Sequence, residues 1–318
     1  MSEIGVGIIG TGYIATACHA PAVLATPSAR LAAVLSRQNS LGFLSTVGAG
    51  DARPYDDLDA FLADPDIDLV VIASPDALHV PQAAASLRAG KHVLVEKPVA
   101  LGESEARSLV DLAGARGLVL ASGYHLRCHP GHRALRSLVR EGALGALRHL
   151  RMMWSYPMDS ANWRASSEFA RWWSLSATAT HCLDLARWFA DDADEWAALT
   201  AVLSNTKWHG PREESAAIAA RLASGPTVEV LSSVLLDEHT RVEIFGDDGV
   251  AVCTGTLGPD GGGDISVDGE PLAYAPGSPF LPQLDAVLAA ISGEGQPVAD
   301  GEVGARAVRD LELAAGSS

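Results

Sequence analysis

The run His92-Val93-Leu94-Val95 ends in Glu96-Lys97-Pro98, and this junction is the most chemically informative point of the chain. Lysine is scarce: Lys91, Lys97 and Lys207 are the only three in 318 residues, and arginine supplies nearly all the positive charge. A lysine kept beside a glutamate and a proline marks a need for a compact, titratable ammonium. The run before it reads as a strand, and ligands of open parallel sheets bind at the C-terminal ends of the strands.

Gly10-Thr11-Gly12-Tyr13-Ile14-Ala15 directly follows the apolar run Gly5–Ile9 and opens a helical pattern. Gly10 and Gly12 permit a tight turn and close approach of backbone to a pyrophosphate. Ala15 permits close helix–strand packing, and the helix start offers free amides to phosphates. With Thr11, Tyr13 and Ile14 the motif is a candidate dinucleotide site, because it has the strand before it and the helix after it. The second strand ends in Leu35-Ser36-Arg37, where a binder of NAD usually places an acidic side chain on the ribose 2′-hydroxyl. The next acidic residue is Asp51. Ser36 and Arg37 instead suit a 2′-phosphate through charge-assisted bonds, so NADP is the expected cofactor and NAD the alternative.

The elements that must position these groups fall into two parts. Over the first part, strands at Gly5–Ile9, Arg30–Leu35, Leu69–Ala73, His92–Val95 and Leu118–Ala121 alternate with helices, the clearest at Val80–Arg88 and Ser104–Ala115. That alternation predicts a doubly wound parallel sheet covered on both faces. After Tyr124 the pattern changes. Helices are predicted at Pro130–Glu141 and Thr180–Phe189. Strands joined by short turns are predicted at Leu147–Ser155, Trp196–Leu203, Ser215–Leu222, Thr227–Leu236, Arg241–Phe245 and Val250–Thr254, with a hairpin signal at Gly246-Asp247-Asp248-Gly249. The glycine-rich stretch Gly258–Gly269 reads as an exposed loop, and helices at Phe280–Ile291 and Glu302–Ala314 close the chain. The expected division is 1–123 for an α/β nucleotide-binding domain and 124–318 for an α+β substrate-binding and oligomerisation domain with a largely antiparallel sheet.

Composition bounds the partners. A net charge of −16 disfavours nucleic acid and anionic membranes, both of which reward positive charge. Met1-Ser2-Glu3 runs straight into the first strand, no uncharged stretch is long enough to span a bilayer, and Cys18, Cys128, Cys182 and Cys253 are scattered. The expectation is a soluble cytoplasmic protein with reduced thiols. All seven tryptophans lie between Trp154 and Trp208. Their flat rings suit the apolar faces of a sugar or the wall of a nicotinamide pocket, and they serve equally well as core. Trp172 and Trp173 cannot both face one pocket from a regular helix, and Trp173 is taken as the substrate-facing one. His125, His129 and His132 with Cys128 lack the frame of a recognisable metal set, so no metal is expected. Arg127 is the better candidate there, for orienting a polar substrate.

On these residues the chain resembles the glucose–fructose oxidoreductase / inositol dehydrogenase (Gfo/Idh/MocA) family over essentially its whole length. The likeness rests on Gly10–Ala15, on Ala73-Ser74-Pro75 followed by His79, on Glu96-Lys97-Pro98, on Tyr124-His125-Leu126-Arg127 before His129-Pro130, on Trp163-Arg164, and on His181 with Asp184. It implies a Rossmann domain followed by an α+β domain whose large open sheet often serves as an oligomer interface. A homodimer or homotetramer is therefore expected. It also implies hydride transfer between a nicotinamide and a sugar, polyol or related carbonyl compound. Lys97 matches the family lysine between nicotinamide and reacting oxygen, and His181 its catalytic histidine, an imidazole being the side-chain type that ordinarily exchanges protons near neutral pH. Asp184 lies one helical turn beyond His181 and either orients the imidazole or pairs with an arginine. Trp163 and Arg164 match a pair reaching the cofactor from the second domain. Ala73, Ser74, Pro75 and His79 match the loop beneath it, and Glu96 the cofactor side of the lysine motif. Tyr124 and Arg127, with Lys97, Trp173 and His181, are the substrate candidates. One departure stands out: many family dehydrogenases carry an aspartate four residues before the histidine, where this chain has Ala177.

Hydride transfer to a carbonyl builds negative charge on its oxygen, and the reverse reaction removes an alcohol proton. The site therefore needs a cation and a proton-exchanging group near that oxygen. Lys97 and His181 supply both, which makes an NADP-preferring oxidoreductase the leading expectation. The alternatives, motivated by Ala177, are a non-catalytic NAD(P)-sensing protein on the same scaffold and a redox-assisted lyase or hydrolase with tightly held nicotinamide.

Overall fold

The computed structural model of the protein describes residues 3–166 and 168–316. Met1 and Ser2, on which the reading of the N-terminus rests, lie outside them.

Short apolar runs rich in Val, Ile and Leu become strands because both of their faces are covered. They are β1 (Ile4–Ile9), β2 (Ala29–Leu35), β3 (Arg53–Tyr55), β4 (Leu69–Ile72), β5 (His92–Val95) and β6 (Leu120–Ser122). All pair in parallel, in the order β3-β2-β1-β4-β5-β6. This is the doubly wound Rossmann order, and its direction reverses between β1 and β4. Crossovers are made by α1 (Ala20–Ala25), α2 (Ser40–Val47), α3 (Leu58–Leu62), α4 (His79–Arg88) and α5 (Glu103–Arg116). The sequence pattern does not reveal β3, since Arg53-Pro54-Tyr55 at the sheet edge is short and largely solvent-facing. No helix among the described residues is long and apolar enough to cross a membrane.

The second sheet has eight strands: β7 (Leu147–Ser155), β8 (Trp196–Ser204), β9 (Ser215–Leu222), β10 (Thr227–Ser233), β11 (His239–Gly246), β12 (Val250–Thr254), β13 (Asp264–Val267) and β14 (Glu270–Pro271). Their order is β14-β13-β12-β11-β7-β10-β9-β8, antiparallel throughout except for the β7–β10 pair. The expected fold class, a Rossmann sheet followed by a largely antiparallel open sheet, is what forms. The Gly246–Gly249 turn joins β11 to β12 as its signal predicts. The glycine-rich stretch is a correction: β13 emerges from it, pairs with β12 and buries Ile265. In β9 every second side chain is buried, with Ala217, Ala219 and Arg221 facing outward, the period-2 mark of a sheet covered on one face. Helices α6 (Pro130–Arg140) and α7 (Thr180–Ala190) belong to this part.

The chain divides into two compact units, residues 1–123 with 280–306 and residues 124–279 with 307–318. The closing segment does not stay in the second part as expected. Helix α8 (Phe280–Ile291) returns to the Rossmann unit, because Phe280, Leu284, Val287 and Leu288 complete the core formed by Ala20, Val23 and Leu31. The last helix, α9 (Gly301–Gly316), begins in the first unit and ends in the second.

Candidate active site

In the Rossmann unit the strand ends gather the first group of candidates. Gly10, just past β1, has φ +102°, and a Cβ there would lie 2.5 Å from the carbonyl oxygen of Ala73. Only glycine takes that conformation at that distance from backbone. A Cβ on Gly12 would meet nothing within 4 Å, so the space above the turn is open. The hydroxyls of Thr11 and Ser36 lie 3.3 Å apart and join the ends of β1 and β2. Arg37 is exposed and makes no hydrogen bond or ion pair among the described residues. Tyr13 is exposed, while Ile14 packs on the core. An open glycine cradle with a helix start, paired hydroxyls and an uncommitted guanidinium fits a dinucleotide.

The helix that opens at this cradle contains a π-helical turn, Ala15–His19, closed by a bond from the Ala20 N–H to the Ala15 carbonyl. This register directs His19 inward, where its Nε2 is 2.8 Å from Glu96 Oε1. The other carboxylate oxygen of Glu96 accepts the Lys97 N–H at 3.2 Å. Lys97 is half-buried directly after β5, on the same edge of the sheet as the glycine turn. Ala73 is nearly buried, and Ser74 donates to Gln82 at 2.6 Å. Pro75, half-buried, leads into His79.

His79 is placed differently from expectation. It is buried with Nδ1 2.8 Å from the Pro98 carbonyl and Nε2 2.8 Å from the Ser74 carbonyl. Its ring ties the loop after β4 to the loop after Lys97, which corrects the assignment as a direct cofactor contact. Glu96 is likewise committed within the protein, to His19 and the Lys97 amide.

In the second unit, a π-helical turn at Leu175–Ala179 leads into α7 and is closed by the Thr180 N–H on the Leu175 carbonyl. The buried Glu213 carboxylate fixes its start by accepting the N–H groups of Trp173 at 2.8 Å and Leu175 at 2.9 Å. Burial pushes the Glu213 carboxyl above its usual range despite these bonds. The turn sets the position of His181, buried amid the rings of His125, Trp154 and Tyr124 at centroid distances of 5.0, 5.3 and 5.6 Å. Tyr124 is bonded through its hydroxyl to Thr180 Oγ1 at 2.8 Å, and burial drives the phenol pKa upward. Trp163 and Arg164 are both half-buried, with the guanidinium stacked over the indole at 4.2 Å.

Two substrate candidates are corrected. Arg127 is buried, and its Nε and both terminal nitrogens donate to the carboxylates of Asp184 and Asp192 at 2.6–3.0 Å. Burial works against its charge, but the two carboxylates outweigh that and raise its pKa. Arg127 is therefore a structural ion-pair centre, and Asp184 is its partner and not an orienter of His181. Trp173 is buried with Ala177, Val234, Met158 and Trp208, its ring stacked on Trp208 at 5.1 Å. It is core.

The histidine cluster is also structural. His129 caps α6 by accepting the N–H groups of Gly131 and His132 and bonds the Gly262 carbonyl through Nε2. His132 bridges the Leu126 carbonyl and Thr256. Burial lowers the pKa of both rings, that of His132 to about 3. Among the described residues no group of three or more His, Cys, Asp or Glu could hold a metal ion. All four cysteines are buried thiols pushed up to about 12 by burial, with Glu96 adding to the effect at Cys18.

Sequence reasoning missed His19 and Glu213. A single histidine in a helix carries no signal when its partner is 77 residues away. The Glu213-Glu214 pair ahead of β9 reads as surface charge, yet both side chains are buried and cap backbone amides.

Comparison with known proteins agrees with this architecture. A model described as "Oxidoreductase family, NAD-binding Rossmann fold" matches residues 4–124, and the GFO/IDH/MocA C-terminal domain matches residues 132–252. A 1,5-anhydro-D-fructose reductase of Ensifer adhaerens is 28% identical over 307 residues, 94% of this chain and 91% of that protein. A dTDP-3,4-didehydro-2,6-dideoxy-alpha-D-glucose 3-reductase of Streptomyces violaceoruber is 39% identical over 159 residues, 49% of this chain and 46% of that protein, so the chain spans about half the length of that relative. The solved aldose-aldose oxidoreductase from Caulobacter crescentus superposes with a TM-score of 0.90 at 26% identity, over 99% of this chain and 97% of that one. The Rossmann model and the C-terminal model are those of one family, and the chain belongs to it: the Gfo/Idh/MocA oxidoreductases.

Proposed function

We propose that the protein transfers a hydride between NADP(H) and a sugar, polyol or similar small hydroxy/carbonyl compound. The observation that carries this reading is the shared strand edge of the Rossmann unit. It presents the open glycine cradle, the Ser36-Arg37 end of β2 and Lys97 together. Names of relatives support the substrate class, since they include reductases of a sugar anhydride and of a nucleotide sugar. Gly10, Thr11, Gly12 and the following helix start would hold the pyrophosphate, and Ser36 with Arg37 the 2′-phosphate.

When bound, the nicotinamide supplies or removes the hydride. The chain's own task is the substrate oxygen. Lys97 places a positive charge where that oxygen gains negative charge, and His181 exchanges the proton at the same oxygen. Ala177 is no part of this chemistry, as it lies in an apolar cluster with Trp173 and Val234. The outward alanines of β9 and the exposed Val202 of β8 support assembly through the open sheet. A homodimer or homotetramer by light scattering is expected.

The test is NADPH oxidation or NADP reduction against a panel of sugars, polyols and their keto forms. With a substrate in hand, Lys97→Ala and His181→Ala should each lower turnover by roughly two decades or more while NADPH affinity stays nearly constant. Lys97→Arg should not rescue, because a guanidinium keeps its proton and fits the space differently. Unchanged steady-state rates in Lys97→Ala would overturn the assignment.

A further inference from the structure

We infer that Glu213 is a positioning residue for His181, acting through the helix start ahead of the histidine. One residue takes three successive amides. Its carboxylate Oε1 accepts the N–H groups of Trp173 at 2.8 Å and Leu175 at 2.9 Å, and its own carbonyl accepts the N–H of Ser174 at 3.2 Å. All four residues are buried. Ser232 of β10 adds a second hold, donating to the Ser174 carbonyl at 2.9 Å and meeting Thr178 Oγ1 at 2.5 Å. Glu213 lies just ahead of β9, and β9 pairs with β10 at this end, Ala216 beside Ser232. Two adjacent strand ends therefore set where the helix begins.

Between this start and His181 lies the π-helical turn Leu175–Ala179, a wider and less favourable ring than the α-helical one. Such a turn persists where both of its ends are fixed. The far end is fixed in α7 by Asp184, which takes the buried Arg127 guanidinium. The near end is fixed by Glu213. Buried amides that lose their acceptor are costly, so a start released by Glu213 shifts to find other partners. The turn then tightens toward α-helical geometry, sliding the segment by part of the rise of about 1.5 Å per residue. His181 is the second residue of α7 and shifts against the rings of Tyr124, His125 and Trp154, now 5.6, 5.0 and 5.3 Å away. The donors that Glu213 holds are neutral amides, so what the geometry uses is the reach of its side chain and not its charge.

This inference deepens the proposed function by naming what sets its histidine, and it rests on that reading only for the kinetic readout. The primary test needs no substrate. Carbon–proton correlation spectra of the ten histidine rings, assigned by single substitutions, report the place of His181, because the aromatic rings around it shift its resonance according to distance. Glu213→Asp keeps the charge and shortens the reach by one methylene. Glu213→Gln keeps the reach and an acceptor oxygen and removes the charge. Glu213→Leu removes the acceptor. The Asp and Leu variants should displace the His181 resonance, Gln should leave it in place, and His79 in the Rossmann unit should hold in all three. If Glu213→Leu does not fold, Asp against Gln carries the test. A carboxylate with a merely structural role would lower the melting temperature and leave the His181 resonance of the folded variants unmoved. That result, or equal displacement in Asp and Gln, would overturn the proposal. With a substrate available, Glu213→Asp should lower kcat by about one to two decades, as a misplacement of about 1 Å does, while substrate KM and NADPH affinity hold. Gln should restore most of the loss, and a Gln variant as slow as Asp would count against reach as the cause. Inactivity of the unmodified protein on every compound would sink the proposed function, and the ring spectra would still decide whether Glu213 places His181.

Discussion

Tyr124 and His181 pack ring edge to face with centroids 5.6 Å apart, and the Tyr124 hydroxyl bonds Thr180, the residue immediately before the histidine. Tyrosine here acts on the histidine's setting through the backbone of α7. Tyr124→Phe keeps the ring contact and removes one neutral hydrogen bond, so urea denaturation should show a loss of about 0.5–1.5 kcal/mol. Turnover should fall less than tenfold, far less than for His181→Ala. A Tyr124→Phe variant as inactive as His181→Ala would assign the hydroxyl to the reaction itself.

Arg37 is the exposed cation at the end of β2, beside the Thr11–Ser36 hydroxyl pair. Arg37→Ala should weaken NADPH binding by one to two decades, because a charge-assisted phosphate bond is worth about 1.5–3 kcal/mol. NADH binding should scarcely change. Calorimetry showing equal NADPH and NADH affinities in the unmodified protein would remove the 2′-phosphate role.

Ala177 lies in the apolar cluster of Trp173 and Val234, with Met158 and Trp208 packed against it. Ala177→Asp, which restores the carboxylate common in the family, would bury a charge there. The expected outcome is destabilisation of roughly 1–3 kcal/mol at neutral pH, with no gain in turnover. Burial raises the new carboxyl's pKa, so the penalty should shrink as pH falls and the group becomes neutral. A stable variant with higher activity toward polyols would show that the chain had merely lost a helpful acid.

His132 provides a pH signature of the fold. Its folded pKa of about 3 lies below the ordinary 6.5, so between these values the unfolded chain binds the extra proton. Its contribution is therefore complete above pH 6.5 and is lost as pH falls toward 3, at a slope approaching about 1.4 kcal/mol per pH unit. His129 is shifted in the same direction by burial and adds to the effect. Urea midpoints should decline from pH 6.5 to 4.5, and His132→Gln should flatten the decline while lowering stability at pH 7. An unmodified protein equally stable at pH 4.5 and 7 would contradict the placement of these rings.

The sequence by itself determined the Rossmann half in nearly all the parts that matter. Uniformly apolar runs mark strands covered on both faces, and Gly10, Ser36 and Lys97 are tied to strand ends by a few residues of chain. The order of the motifs along the chain also carries the family likeness. What only the tertiary structure decided were relations between distant residues. His19 meets Glu96 across 77 positions, and Arg127 meets Asp184 across 57 and Asp192 across 65. His79 spends both ring nitrogens on carbonyls from two loops. A buried polar group must find its partner wherever the fold brings one, and no local pattern encodes which partner that is. The same reason explains why Arg127 and Trp173 read as substrate groups in the sequence and prove to be an ion-pair centre and core. Helix α8 followed the same rule: its apolar stripe specified burial, and only the packing around Ala20 and Val23 specified where.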